Sequence, residues 1–395
     1  MIRAVLIDLD DTLLGNKMEQ FLPVYFQKLG EYLSDRIDPA QMLTELLAGT
    51  QQMLLNLDPT CTLERAFSQH FYPAIGFEEE PMRLHIERFY REVFPSLKAG
   101  TAGRPAARAF IDRLQERGLD IVVATNPLFP RIAIEERLRW AGTPAAEIPF
   151  SIVTSYEQFH FTKPHPEYYA EILGRLGLPP QDTVMIGNDP AADLAPARLL
   201  GMATFHLSEE PEQGYRGGNF TQVLSWLDED PGVKQRENAK SPEAILARAR
   251  GHLAALISML EGLNGARWST TLGTGEWSLA EIMCHLRDVE REVHLERLGR
   301  MLEEPEAHLV GEDTDAWAAQ RQYDCQPGQD AFSDFVQSRL ELIDRLASLQ
   351  PQEWQRTGRH TMLGPIHLNE LMAIANDHDT IHLAQVRKTL ASIPA

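Results

Sequence analysis

The residues best placed to do chemistry come first in the chain. A short apolar run, Ala4 to Ile7, reads as a buried strand and ends in three acids within four positions, Asp8, Asp10 and Asp11. Side chains alternate along a strand, so Asp8 and Asp10 emerge on the same side of its carboxyl end. Open α/β sheets bind ligands in the cleft beyond those ends. Two carboxylates 4 Å apart repel by roughly 4 kcal/mol at an effective dielectric of 20, so the pair calls for a cation. Three later pieces match it. Thr125 ends the strand Ile121 to Ala124, where its hydroxyl and the next N–H can hold an oxyanion. Lys163 sits just ahead of a helix, and Gly187-Asn188-Asp189-Pro190-Ala191-Ala192-Asp193 ends another strand with two acids four apart. Taken singly, such a lysine is usually solvated and such an aspartate is usually an N-cap. All four in order at successive strand ends are a far stronger signal.

A second constellation lies near the C-terminus. His378 and His382 are four apart, on a helix face that also carries Leu371, Ile374 and Gln385. His285 belongs to the stripe Ile282, His285, Val289 and Val293 of an earlier helix. Two inward imidazoles on one helix and a third on another make a three-nitrogen metal site with open positions. A lone core histidine is more often a hydrogen-bonded structural residue. Cys284 points about 100° away from His285 and reads as packing. His294, His360 and His367 read as structural or surface residues.

The elements that must position these groups divide the chain. Residues 17–98 carry helix upon helix, with Phe21, Val24, Tyr25, Leu29 and Leu33 at helical spacing and Asp38-Pro39 as a helix start. From 105 to about 205, helices alternate with the strands at 121–124, 150–153, 183–186 and 203–205, the rhythm of a parallel sheet covered on both faces. The helical block is therefore an insertion after the first strand, a lid over the active edge of the sheet. Residues 229–240 are charged and poor in large apolar groups, a linker. Beyond it the sequence predicts four amphipathic helices and no convincing strand, a bundle over 241–395. Ser278 to Glu281 forms a capping box, with Trp277 placed to staple onto Ile282.

At 395 residues the chain suits two domains, and its 43% hydrophobic and 24% charged residues give each an ordinary core. The net charge of −20 is shared, −11 over residues 1–240 and −9 from 241 onward. Neither half has the basic footprint that nucleic acid or an anionic membrane surface needs. Three widely separated cysteines suggest no disulfide framework, no apolar run nears 18 residues, and the expected compartment is the cytoplasm.

Residues 1–228 resemble the haloacid dehalogenase (HAD) superfamily, through DLDDT at 8–12, Thr125-Asn126, the lysine of Lys163-Pro164-His165-Pro166, and GNDPAAD at 187–193. The resemblance implies an α/β Rossmann-like core (1–16 and 100–228) with an inserted helical cap (17–99). It makes Asp8 the nucleophile that takes up a phosphoryl group, and Asp10 the acid and base. Thr125, Asn126 and Lys163 would hold phosphoryl oxygens, and Mg²⁺ would sit on Asp8, the Asp10 carbonyl and a fourth-motif group, Asp189 with Asn188 beside it. Two departures stand out. Asp11 replaces the frequent Gly, and neutral Asn188 occupies a place that often holds a ligating Asp. The second acid, Asp10, favours ester hydrolysis over dehalogenation, which has no alkoxide to protonate.

The stretches Gly275–Glu281, Cys284–Asp288 and Asp377–Gln385 resemble the DinB/YfiT-like family. That implies an all-α up-down four-helix bundle over 241–392 whose His285, His378 and His382 hold zinc, nickel or iron, some relatives using low-molecular-weight thiols. Three readings follow. The chain is a Mg²⁺-dependent phosphatase for a small phosphorylated metabolite fused to a metal-binding bundle; or a metal-dependent thiol transferase with an accessory HAD domain; or a non-catalytic binding protein. A dimer through the bundle is compatible with the sequence, but no residue specifies it.

Overall fold

The computed structural model describes residues 1–231, 238–273 and 275–393. Residues 232–237 of the expected linker lie outside the described residues. The chain divides into two compact units, Met1–Tyr169 with Pro180–Arg236, and Ala170–Pro179 with Glu237–Ala395. The segment 170–179, which the sequence reading assigns to the first domain, thus groups with the second.

The first unit opens with β1 (Ala4–Ile7), fully buried. β2 (Leu14–Gly15) leads into four cap helices, α1 (Met18–Leu33), α2 (Pro39–Leu55), α3 (Leu63–Ile75) and α4 (Glu79–Glu92). Asp38 starts α2 by accepting the N–H groups of Ala40 and Gln41, as its position before Pro39 predicts. The chain leaves the cap through β3 (Ala102–Gly103), which pairs antiparallel with β2, so both crossings into the cap are stitched together. The alternation then runs α5 (Pro105–Glu116), β4 (Asp120–Val123), α6 (Arg131–Trp140), β5 (Ile152–Val153), α7 (Pro166–Leu176), β6 (Thr183–Gly187), α8 (Ala195–Leu199), β7 (Ala203–Leu207), β8 (Gly217–Gly218) and α9 (Phe220–Asp228). The sheet order is β5-β4-β1-β6-β7-β8, and every pairing is parallel. Strands buried on both faces read as continuous apolar runs, which is why β1, β4 and β6 were legible.

The second unit contains α10 (Pro242–Leu260), α11 (Leu279–Val289), α12 (Leu295–Glu303), β9 (His308–Leu309), α13 (Trp317–Gln320), α14 (Gly328–Ala347), β10 (Thr357–His360), β11 (Gly364–His367) and α15 (Leu368–Ala391). A π-helical turn, Glu290–His294, joins α11 to α12. Both α10 and α11 pack against α14 and α15, so these four close the bundle. The 18-residue connection between α10 and α11 is long enough to carry the chain across it.

Two details differ from the sequence reading. A small sheet, β11-β10-β9, exists where no strand was expected. Its strands are two to four residues long and, apart from Leu309 and Ile366, built of Thr, Gly, Arg, His and Pro, so β-propensity gives little signal. Ile374, expected on the inner face of α15, is 44% exposed, and Ile381 further along the helix is 60% exposed. The inner face carries Asn376, Asp379 and Thr380 instead, each paired across the bundle or along the helix, so hydrophobicity pointed to the wrong flank.

Candidate functional site

The central strands β4, β1 and β6 end side by side and deliver Thr125, the Asp8–Asp10 pair and Asn188 to one edge. All seven residues expected there from sequence (Asp8, Asp10, Thr125, Asn126, Lys163, Asn188, Asp189) line one cavity of about 510 Å³, together with Asp193. Lys163 Nζ lies 2.7 Å from Asp8 Oδ1 and 2.5 Å from Asp193 Oδ1, and all three side chains are buried. The lysine backbone N–H donates to Asn126 Oδ1 at 3.2 Å, which ties its loop to the end of β4. The Thr125 carbonyl accepts from Tyr168 Oη at 2.8 Å and Thr154 Oγ1 at 2.7 Å, fixing the turn that presents its own side chain.

Burial pushes the Asp8 carboxyl up to about 7, against the pull of Lys163, while Asp193 and Asp10 add to the rise. Burial also works against the charge on Lys163, but the Asp193 and Asp8 carboxylates outweigh it and hold the ammonium well above its ordinary value. Three acids against this lysine and one arginine leave an excess of hard oxygen donors. That donor set fits a hard divalent cation such as Mg²⁺.

The fourth motif is arranged unevenly. Asn188 Oδ1 accepts from Thr12 Oγ1 at 3.1 Å. Asp189 is exposed, and its Oδ1 caps the N–H groups of Ala191 and Ala192. Asp193, carried by a π-helical turn, reaches inward to Lys163 and accepts the Asp189 N–H on its other oxygen at 3.1 Å. Gly187 is required by this approach, since a Cβ there would lie 2.1 Å from Asp193 Oδ2. Asp11 adopts a left-handed φ of 55°, a conformation in which Gly is easiest and Asp is tolerated.

Two residues around Asp10 escaped sequence reasoning. Arg137 Nη1 donates to Asp10 Oδ2 at 2.7 Å, and Asn16 Nδ2 donates to Asp10 Oδ1 at 2.9 Å. Arg137 sits in α6 among charged neighbours, so nothing in its local pattern marked it as buried.

In the second unit, His285, His378 and His382 come together. His378 Nε2 lies 3.1 Å from both His285 Nε2 and His382 Nε2, and the candidate ligand atoms of the three all fall within 4.8 Å of one another. Burial and the neighbouring imidazoles push His285 and His378 down to about 3, and burial lowers His382. The His382 Nδ1–Gln385 Oε1 contact of 2.8 Å fits an Nδ1–H donor, leaving the Nε2 lone pair facing its partners. Three neutral imidazoles with converging Nε2 atoms fit a borderline divalent metal. Trp277 immediately precedes the Ser278–Glu281 capping box of α11, and its ring lies 4.8 Å from that of His285 and stacked at 6.0 Å on His382. Cys284 instead reaches Gln326, at 3.7 Å. His294, read as structural or surface, is buried and bonded to Glu290 at 2.9 Å, its ring edge-on to His378. His360 accepts two backbone N–H groups, and His367 caps α15.

Comparison with known proteins follows the same division. The family model described as haloacid dehalogenase-like hydrolase matches residues 2–201, and that of the DinB superfamily matches residues 246–386. A phosphoserine phosphatase from Thermus thermophilus is 30% identical over 168 residues, 41% of this chain and 63% of that protein. A ribulose-1,5-bisphosphate 5-phosphatase from Halopiger xanaduensis is 33% identical over 110 residues, 27% of this chain and 44% of that protein. The chain thus spans less than two thirds of either relative. Among solved structures, CbbY from Rhodobacter sphaeroides in complex with phosphate aligns at 22% identity and TM-score 0.38, covering 58% of this chain and all of that one. YfiT from Bacillus subtilis aligns at 15% identity and TM-score 0.31, covering 47% of this chain and 92% of that one. With half its length matched by that family model, the chain belongs to the haloacid dehalogenase-like hydrolases, and its C-terminal region carries a DinB superfamily match.

Proposed function

We propose that residues 1–228 form a Mg²⁺-dependent phosphatase for a small phosphorylated metabolite, working through an aspartyl phosphate on Asp8. The observation that carries this reading is Lys163 bonded to both Asp8 and Asp193 at the floor of the cavity, with Asp10 two residues on from Asp8. Oδ1 of Asp8 accepts from Lys163, which leaves Oδ2 for in-line attack on phosphorus. As the P–O bond to the leaving group breaks, its electron pair passes to the ester oxygen, which takes a proton from the Asp10 carboxyl. Asp10, now a carboxylate, removes a proton from water, which attacks phosphorus, frees inorganic phosphate and restores Asp8. Lys163 and Thr125 offset charge on the phosphoryl oxygens. Asp8, the Asp10 carbonyl and a fourth-motif group from Asn188, Asp189 or Asp193 would hold a Mg²⁺, which would supply further charge neutralisation. The phosphatases among the relatives support the reaction class. The three free cysteines are in keeping with a reducing compartment such as the cytoplasm.

Turnover of p-nitrophenyl phosphate and a panel of phosphometabolites tests the reading, with Mg²⁺ present and chelated. Wild type should hydrolyse at least one ester only with the cation, and Asp8→Asn should abolish it. A fully active Asp8→Asn protein overturns the mechanism. A second reading places chemistry in the bundle, as a metal-dependent transferase using a low-molecular-weight thiol. It draws on the convergence of three Nε2 atoms beneath Trp277. Thiol-dependent turnover without phosphatase activity would favour it.

A further inference from the structure

We propose that Arg137 is a positioning residue for Asp10, fixing the carboxyl group that protonates the leaving group; this rests on the phosphatase reading above. The Arg137 side chain is 1% exposed, whereas that of Asp10 is 17% exposed and lines the cavity. Arg137 therefore lies behind Asp10, out of reach of a substrate, and its guanidinium packs over the Phe129 ring at 4.8 Å. Its Nη1 holds Asp10 Oδ2, while Asn16 Nδ2 holds Oδ1 from the other side, at the entrance to the cap. Donors on both oxygens set the plane of the carboxylate and leave its remaining lone pairs for the cavity.

The state of the guanidinium argues for a functional origin. Its Nε and Nη2 are buried and have no hydrogen-bond partner among the described residues. A buried charge that satisfies one carboxylate oxygen and leaves two donors unmade is a poor way to stabilise a fold, since desolvation offsets the attraction. Such an arrangement is expected where orientation of the partner matters more than net stability.

The chemistry supplies a test that structural damage cannot imitate. Proton donation by Asp10 matters in proportion to the basicity of the departing oxygen. An alkyl phosphate releases a strongly basic alkoxide and needs the proton; p-nitrophenyl phosphate releases a stable phenolate and scarcely does. Arg137→Met should lower kcat on an alkyl phosphate roughly 100-fold and on p-nitrophenyl phosphate less than about 5-fold, with KM little changed. Arg137→Lys should recover part of the alkyl-ester rate, and Asn16→Ala should show the same bias more weakly. Equal losses on both esters overturn the proposal. Should Arg137→Met not fold, the ester ratio in Arg137→Lys and Asn16→Ala decides. Crystal structures of Arg137→Met or, failing that, Asn16→Ala should show the Asp10 carboxylate rotated, and an unmoved carboxylate overturns the proposal whatever the turnover. A wild-type chain inert toward every ester rejects the phosphatase reading instead, so the two failures are distinct.

Discussion

Replacing Arg339 by Met should destabilise the bundle about as much as a large apolar truncation in its core. Arg339 is 2% exposed and lies between Glu290 and Asp379, which are equally hidden. Its Nε and Nη2 bond Glu290 at 2.5 and 2.9 Å, and its Nη1 and Nη2 bond Asp379 at 2.6 and 3.0 Å. Burial pushes both carboxyls up, but Arg339 prevails, holding Glu290 below its ordinary range and Asp379 well below it. Taking away the one cation strands two carboxylates in the core. Breaking a buried pair from one side costs about 3–5 kcal/mol. Two stranded acids do not double that figure, because His294 Nδ1 still lies 2.9 Å from Glu290 and His252 Nδ1 3.4 Å from Asp379, so each carboxylate keeps a polar partner.

The sign with pH follows from the same shifts. In wild type, carboxyls with depressed folded values contribute stability above the ordinary carboxylate range and lose it as pH falls through their folded values. In Arg339→Met the stranded acids prefer to be neutral, so the deficit should be largest at pH 7.5 and shrink toward pH 5.5, by at most about 1.4 kcal/mol per pH unit for each group involved. Urea unfolding followed by tryptophan fluorescence reads this, since four of the six tryptophans belong to the second unit. A loss below about 1 kcal/mol at pH 7.5, or a deficit that does not change with pH, refutes the reasoning.

Two further outcomes follow from the sites. Wild type should bind one equivalent of Zn²⁺ or Ni²⁺ by calorimetry, gaining about 2.7 kcal/mol of stability at a hundred times Kd, and His382→Ala should lose both. Quenching of Trp277 should accompany binding, because its ring stacks on His382. The acid limb of kcat/KM for ester hydrolysis should reflect the raised Asp8 carboxyl and move to lower pH as Mg²⁺ concentration rises, since a cation binds only the ionised form; a limb indifferent to Mg²⁺ contradicts its placement beside Asp8.

What was legible in the sequence depended on how local the determinants were. β1, β4 and β6 announce themselves because strands buried on both faces must be apolar throughout, and the groups at their ends follow from counting. Asp38, Ser278 and Glu281 were legible because a cap is settled within four residues. Arg137 was not, because its burial is decided by Asp10, 127 positions away. Arg339 and Asp379 were missed for the same reason, and they misled the reading of α15, since a helix face lined with paired charges looks solvated in one dimension. Asp193 was noticed only for its spacing from Asp189. The π-helical turn that swings it onto Lys163 has no signature in residue type.

The two proposed metal sites differ in donor chemistry, so they should take different metals. At the strand ends the available donors are carboxylate, carbonyl and amide oxygens, and the local charge is set by acids against one lysine and one arginine. Hard oxygens with little geometric demand suit a cation that keeps part of its water shell, and hold it weakly where one donor is a neutral Asn. In the bundle the donors are three imidazoles whose protonation burial disfavours, helped at His285 and His378 by the neighbouring rings, so proton release should compete little with metal binding. Imidazole nitrogens favour the later first-row metals over Mg²⁺ by intrinsic affinity. Mg²⁺ titrated into the chain should therefore leave the histidines alone, and Zn²⁺ or Ni²⁺ should fill the histidines at a far lower concentration than the acid site needs; the reverse order of occupancy contradicts this assignment. The chemistry of each site can thus be addressed separately within the intact chain, with no need to cut it at the linker.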